Sequence, residues 1–230
     1  MVTPVQLIRR KKALRRYLKA HGQGARFRGL NIAPVAGPVY RDGIRWLERR
    51  EWPKLPPTGR ADSRVLAVLF PAKPQSIGAK ALKHAKAELG VKEHPSGSNR
   101  GPRVDQFAAA CGLRAVPWCA CFVTWSLRRA GWTQKGWNLA YVPSWVATAN
   151  QSAHGLRVIG ASEVQAGDVV CFDWQKDGIA DHIGFVAGPW KNGQGPTLEG
   201  NTSAGNNSNG GEVQARTRSL SEVACFIRIT

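Results

Sequence analysis

Three observations predict an α+β chain in two parts. Apolar residues recur at helical spacing from residue 3 to about residue 150. From residue 168 onward the pattern switches to period two, so that helices come first and an antiparallel meander follows. Between them Pro71-Ala72-Lys73-Pro74-Gln75 reads as a short stiff linker. The chain therefore divides into a small three-helix domain, residues 1–72, and a larger domain, residues 76–230, that ends in the sheet.

The helical part begins with Thr3 as N-cap and Pro4 at the first helical position. Leu7, Ile8, Leu14, Tyr17 and Leu18 mark its apolar face, Arg9, Arg10, Lys11, Lys12, Arg15, Arg16 and Lys19 its polar one, and Gly22 and Gly24 end it. The loop Asn31 to Pro38 follows. A second helix is expected from Tyr40 to Arg50 with Tyr40, Ile44 and Leu47 inward, and a short third one through Leu66, Leu69 and Phe70. Past the linker, Ser76 caps a helix whose inward residues are Ile77, Ala81, Leu82, Ala85 and Leu89, stopped by Gly90. Val104 to Cys111 forms another around Phe107, and a further apolar helix runs from Cys119 to Gly131. Ser144 is expected to cap a short helix after Pro143. Strands are expected at Asp168–Asp173, His182–Ala187, Thr197–Glu199, Glu212–Arg218 and Ala224–Ile229.

Hydrophobic content of 43% with nine tryptophans belongs to a folded chain, not a disordered one. No apolar run approaches the roughly 20 residues that cross a bilayer. The basic N-terminus has no apolar segment of the secretory kind, so the chain is expected to be made in a cytoplasm. Five cysteines, at 111, 119, 121, 171 and 225, have no CxxC spacing and the five histidines are dispersed, which fits a reducing compartment and argues against a zinc site. The net charge of +18 is uneven. Residues 1–60 hold 15 Lys/Arg against 3 Asp/Glu, whereas residues 151–230 hold 6 against 8. A basic face of this kind seeks a polyanion, whether nucleic acid, anionic lipid or wall polymer.

The chemistry centres on Val116-Pro117-Trp118-Cys119-Ala120-Cys121. A proline-bearing loop delivers Cys119 to the first turn of a helix, where unpaired N–H groups and the helix dipole favour the thiolate. Such a nucleophile needs a base, and the base a third group to set its tautomer. His182, opening a strand after Gly178-Ile179-Ala180-Asp181, is the best candidate base. Glu199 or Asn201, at the end of the next strand, can accept its other N–H. Cys121 lies about 200° around the helix from Cys119 and belongs to the core, as do Cys111, Cys171 and Cys225. Trp118 is either core or a wall of the substrate groove.

Pro117-Trp118-Cys119-Ala120, Phe122-Val123, Trp125, Ala166-Gly167-Asp168, Asp181-His182-Ile183-Gly184-Phe185-Val186 and Glu199-Gly200-Asn201 occur in the order of the CHAP family. That family comprises cysteine- and histidine-dependent amidohydrolases/peptidases, and Gly97-Ser98-Asn99-Arg100 is similar to it as well. The resemblance covers residues 76–230. It implies a papain-like fold of the NlpC/P60–CHAP type that cuts amide bonds in peptidoglycan, with Cys119 as nucleophile, His182 as base and then acid, Glu199 orienting His182, and Asn201 as a secondary polar support. Trp118 and Asn99 are assigned to substrate contact, Asn99 as second oxyanion donor. Calcium-binding relatives carry an acidic cluster ahead of the cysteine that is lacking here, so neither metal nor other cofactor is expected.

Residues 3–70, and Tyr40 to Phe70 with its Leu55-Pro56-Pro57-Thr58-Gly59-Arg60-Ala61-Asp62 turn most closely, resemble the bacterial peptidoglycan-binding-like three-helix module. Together the resemblances imply a monomeric phage endolysin that waits in the host cytoplasm and then acts at the cell wall. Its partners would be peptidoglycan and anionic wall polymers, with no nucleic acid and no transmembrane segment. Two rivals remain: a non-catalytic wall-binding protein that keeps the fold, and a basic nucleic-acid binder, for which no zinc knuckle, RRM or basic-aromatic sheet pattern appears.

Overall fold

A computed structural model describes residues 2–27, 30, 36–70 and 75–230. The expected linker, except Gln75, and most of the Asn31–Pro38 loop lie outside the described residues. The chain divides into two compact units, Met1–Pro74 and Gln75–Thr230.

In the first unit α1 spans Pro4–Ala20, α2 Pro38–Glu51 and α3 Ser63–Leu69. Thr3 caps α1 reciprocally with Gln6: Gln6 N donates to Thr3 Oγ1 at 3.2 Å, and Thr3 N donates to Gln6 Oε1 at 3.0 Å. Leu14, Leu18, Ile44, Leu47 and Val65 form the centre of the core. Gly43 lets α1 and α2 approach closely, since a Cβ there would stand 3.0 Å from Leu14 Cδ2. Glu48 is buried because its carboxylate holds the Pro-Pro-Thr-Gly turn, accepting from Thr58 Oγ1 at 2.7 Å and from Gly59 N at 2.8 Å.

Two side chains depart from the expected faces. Lys11 is buried rather than on the polar face, with its ammonium 6.0 Å from the centre of the Tyr40 ring. Phe70 is 40% exposed because α3 ends at Leu69; Val65 and Leu69, one turn apart, supply the inward face.

In the second unit α4 spans Ile77–Lys86, α5 Val104–Ala109, α6 Cys119–Arg129 and α7 Val142–Asn150. Ser76 caps α4 by accepting from Ala79 N at 3.1 Å. The helix stops at Lys86, so Leu89 falls in the following turn and is half exposed. Ser144 is not a cap: α7 begins at Val142 with Pro143 in its first turn, where the missing N–H costs nothing.

The sheet contains β1 (Leu156–Ile159), β2 (Val169–Phe172), β3 (His182–Val186), β4 (Gln194–Thr202), β5 (Glu212–Ser219) and β6 (Val223–Ile229), in the order β1-β6-β2-β3-β4-β5. All neighbours are antiparallel. Strand β1 escaped the sequence reading because it is a four-residue edge strand, defined by its pairing with the end of β6.

One face of the sheet, with Val169, Cys171, Ile183, Phe185, Leu198 and Ile227, joins the helical core; the other carries Ile159, Val170, Phe172, Val186 and Phe226. Helix α6 is buried on every side from Cys119 to Thr124, packed among α4, α5, β3 and β4. Its contact with β4 is close, since a Cβ on Gly200 would stand 2.7 Å from Phe122 Cγ. That approach sets the start of α6 against the paired ends of β3 and β4.

Candidate active site

Cys119 is the first residue of α6, so its N–H and those of Ala120 and Cys121 have no partner within the helix. Phe122 N closes the first turn on Trp118 O at 2.8 Å. Cys119 is 5% exposed and opens on a groove of about 350 Å³ lined by Leu113, Val116, Asn138, Tyr141, Pro143 and Asp181, among others. Leu113, Tyr141 and Ile179 stay exposed on this unit.

His182 opens β3 and Glu199 lies on β4, both fully buried. Gly184 pairs with Glu199 across the ladder, and a Cβ on Gly184 would stand 2.7 Å from Glu199 Cγ. The glycine thus makes room for the carboxylate, which meets the histidine two residues away: His182 Nε2 lies 3.2 Å from Glu199 Oε2. Neither ring nitrogen of His182 completes a hydrogen bond, so the contact with Glu199 is a close ion-pair approach.

Burial acts to lower the His182 pKa, but the neighbouring charge of Cys119 and the Glu199 carboxylate outweigh that and raise it to about 9. Burial likewise acts to raise Glu199, and the hydrogen bonds from Arg218, with the His182 imidazole close by, override it and hold the carboxyl at about 2. With Nε2 on Glu199, Nδ1 is the nitrogen left for the thiol.

Sequence reasoning missed Arg218, on β5. It donates to Glu199 from Nε to Oε1 at 2.8 Å and from Nη2 to Oε2 at 2.5 Å, and Thr197 Oγ1 donates to Oε1 at 2.5 Å. No local signal announces the pair: Arg218 stands opposite Gly195 in the β4–β5 ladder, four positions from Glu199. Also missed was Glu93, which is buried and accepts the Trp118 indole N–H at 2.8 Å.

Three expected site residues go elsewhere. Trp118 is fully buried and packs against Phe107 and Phe122, so it is core and offers no surface to a substrate. The β3–β4 pairing ends at Gly184–Glu199, short of His182 and Asn201, and Asn201 adopts φ +61° where the β4–β5 register shifts. Its amide then serves the following loop, donating to Asn209 Oδ1 at 3.0 Å and accepting from Gly211 N at 3.1 Å. Asn99 sits in a turn at φ +54° and is not part of the lining of the groove beside Cys119.

The other thiols are core pairs. Cys171 and Cys225 face each other across β2 and β6, and Cys121 shares a hydrogen bond with Cys111 that, with burial, pushes its pKa up. Among the described residues no group of three or more His, Cys, Asp or Glu could hold a metal ion, and no helix is long and apolar enough to cross a membrane.

A helix-borne thiol set against a sheet-borne imidazole, on an α+β frame with an antiparallel sheet, is a papain-like arrangement. Residues 113–201 match the family model of the CHAP domain, which is papain-like. That match implies cell-wall amidase or peptidase activity in general, dependent on cysteine. Comparison with curated proteins finds no match.

Proposed function

We propose that the chain is a peptidoglycan hydrolase of the endolysin type, in which the second unit cleaves an amide bond by a Cys-His-Glu mechanism and the first unit holds the wall. The observation that carries this reading is that Cys119, at the start of a helix packed on β3 and β4, lies near enough for its charge to act on the buried His182 beside Glu199. His182 Nδ1 takes the thiol proton while Glu199 holds the ring from Nε2. The thiolate attacks the amide carbonyl carbon, forming a C–S bond, and the Cys119 N–H receives the developing oxyanion. His182 returns its proton to the leaving amine as the C–N bond breaks. Water, deprotonated by His182, then hydrolyses the thioester and frees the thiol. The groove with Tyr141 and Val116 would receive the peptide flanking the bond.

For the first unit, two basic grooves support wall binding. One is bordered by Arg15, Arg16, Lys19 and Phe27, the other by Arg26, Phe27, Arg45, Trp46 and Arg49, with Asp42 paired to Arg45. They share Phe27, and their charge suits an anionic polymer of the wall.

Mass spectrometry of fragments released from purified peptidoglycan, comparing wild type with Cys119→Ala, tests the reading and identifies the bond. New termini that require Cys119 are expected. Release that persists in the variant overturns the nucleophile, and binding without release by the wild type favours the non-catalytic rival. Cytoplasmic expression that lyses cells only after the membrane is permeabilised is the outcome expected of an endolysin.

A further inference from the structure

Arg218 lies beyond the residues matched to the CHAP domain, and the mechanism above makes no use of it. It is 4% exposed, and its guanidinium contacts both oxygens of a carboxylate that has no exposure at all. We propose that Arg218 is a positioning residue: it keeps Glu199 ionised and turned toward His182, and through that pair sets how readily Cys119 yields its proton. This rests on the assignment of Cys119, His182 and Glu199 above, but not on the identity of the substrate.

A carboxyl group taken out of water takes up a proton unless a cation or several donors hold its charge. Arg218 supplies both, and its planar fork fixes the rotation of the carboxylate as a single ammonium cannot. Glu199 Oε2 is shared, with Arg218 Nη2 at 2.5 Å and His182 Nε2 at 3.2 Å. The guanidinium is itself held, 5.4 Å from the centre of the Phe172 ring and 5.3 Å from Trp174, with Nη1 donating to Asn207 Oδ1 at 2.9 Å. Those two rings also flank His182, at 6.1 and 5.3 Å between centroids. One aromatic wall therefore seats both the cation and the imidazole on which Glu199 acts.

The test is the pH dependence of Cys119 alkylation by iodoacetamide on the full chain, with the labelled thiol located by peptide fragmentation. No wall substrate enters the measurement. Arg218→Met is expected to move the inflection upward by about one pH unit or more, because Glu199 then takes a proton and ceases to support the imidazolium. Glu199→Gln should do the same, and the double variant should move it no further. Arg218→Lys, which keeps the charge and loses the fork, should fall between and stands in if the methionine variant does not fold.

An unshifted or downward inflection in Arg218→Met overturns the proposal, as does a shift that adds to that of Glu199→Gln or an unshifted Arg218→Lys. His182→Ala is the control. A profile insensitive to it overturns the thiol–imidazole reading and this proposal with it. Sensitivity to His182 without sensitivity to Arg218 overturns this proposal alone.

Discussion

The two units handle charge in opposite ways. In the first, an aliphatic core of Leu14, Leu18, Ile44 and Leu47 is wrapped in solvated arginine and lysine, and buried charge is represented by Lys11 and Glu48. In the second, Glu88, Glu93, Asp168, Asp173, His182, Glu199 and Arg218 are all buried. Each of Glu93, Asp168, Asp173 and Glu199 has a named donor: Trp118 for Glu93, Arg228 for Asp168, backbone N–H groups for Asp173, Arg218 for Glu199. Surface charge is screened by salt and acts at long range without fixed geometry. Buried charge must be matched atom by atom, and the matching holds side chains in place. The first unit is thus suited to attraction, the second to chemistry.

That contrast can be broken most sharply at the thiol. Cys119→Ala should lower product release by about 10³-fold or more, measured on purified walls, while leaving wall binding intact. Glu199→Gln should cost about 10²-fold or more in kcat. Replacing Arg15, Arg16, Arg45 and Arg49 together by Glu should do the reverse: retention on whole walls falls by about tenfold or more, and cleavage of soluble fragments persists. A comparable loss on soluble fragments would erase the division of labour.

The buried pair also makes a pH signature. His182 is raised from its ordinary range to about 9, so the folded state holds its proton more tightly than the unfolded state. Its contribution to stability is complete below about pH 6.5 and is lost as pH rises through about 9. Denaturant midpoints should therefore fall across that window, and the fall should flatten in Cys119→Ala, since the charge of Cys119 is the largest cause raising the histidine. The smallest effect is expected from Trp118→Phe, which strands the buried Glu93 oxygen. A loss of about 1–3 kcal/mol in chemical denaturation, with activity of the folded fraction retained, would separate this core tryptophan from the groove.

Two helix starts, those of α1 and α4, were legible because capping is local. Thr3 with Gln6 and Ser76 with Ala79 each lie within three residues of their partner. Cys119 and His182 were legible for a similar reason: a loop-to-helix step and a strand start are written in neighbouring residues. Trp118 was not, since period alone cannot say whether a ring beside a loop faces core or groove. Asn201 failed on a single irregularity in the β4–β5 ladder that turns one residue to positive φ.

By itself, then, the order of residues determined the helix-then-sheet plan, the uneven charge and the placing of Cys119 at a helix start and His182 at a strand start, all of which depend on short-range pattern. Only the tertiary structure decided that Arg218 clamps Glu199, that Gly184 makes room for it and that Trp118 is sealed on Glu93. Those pairings join residues 15 to 25 positions apart, as for Gly184–Glu199, Arg218–Glu199 and Trp118–Glu93. Partners that distant meet through strand register and helix packing, which no local spacing encodes.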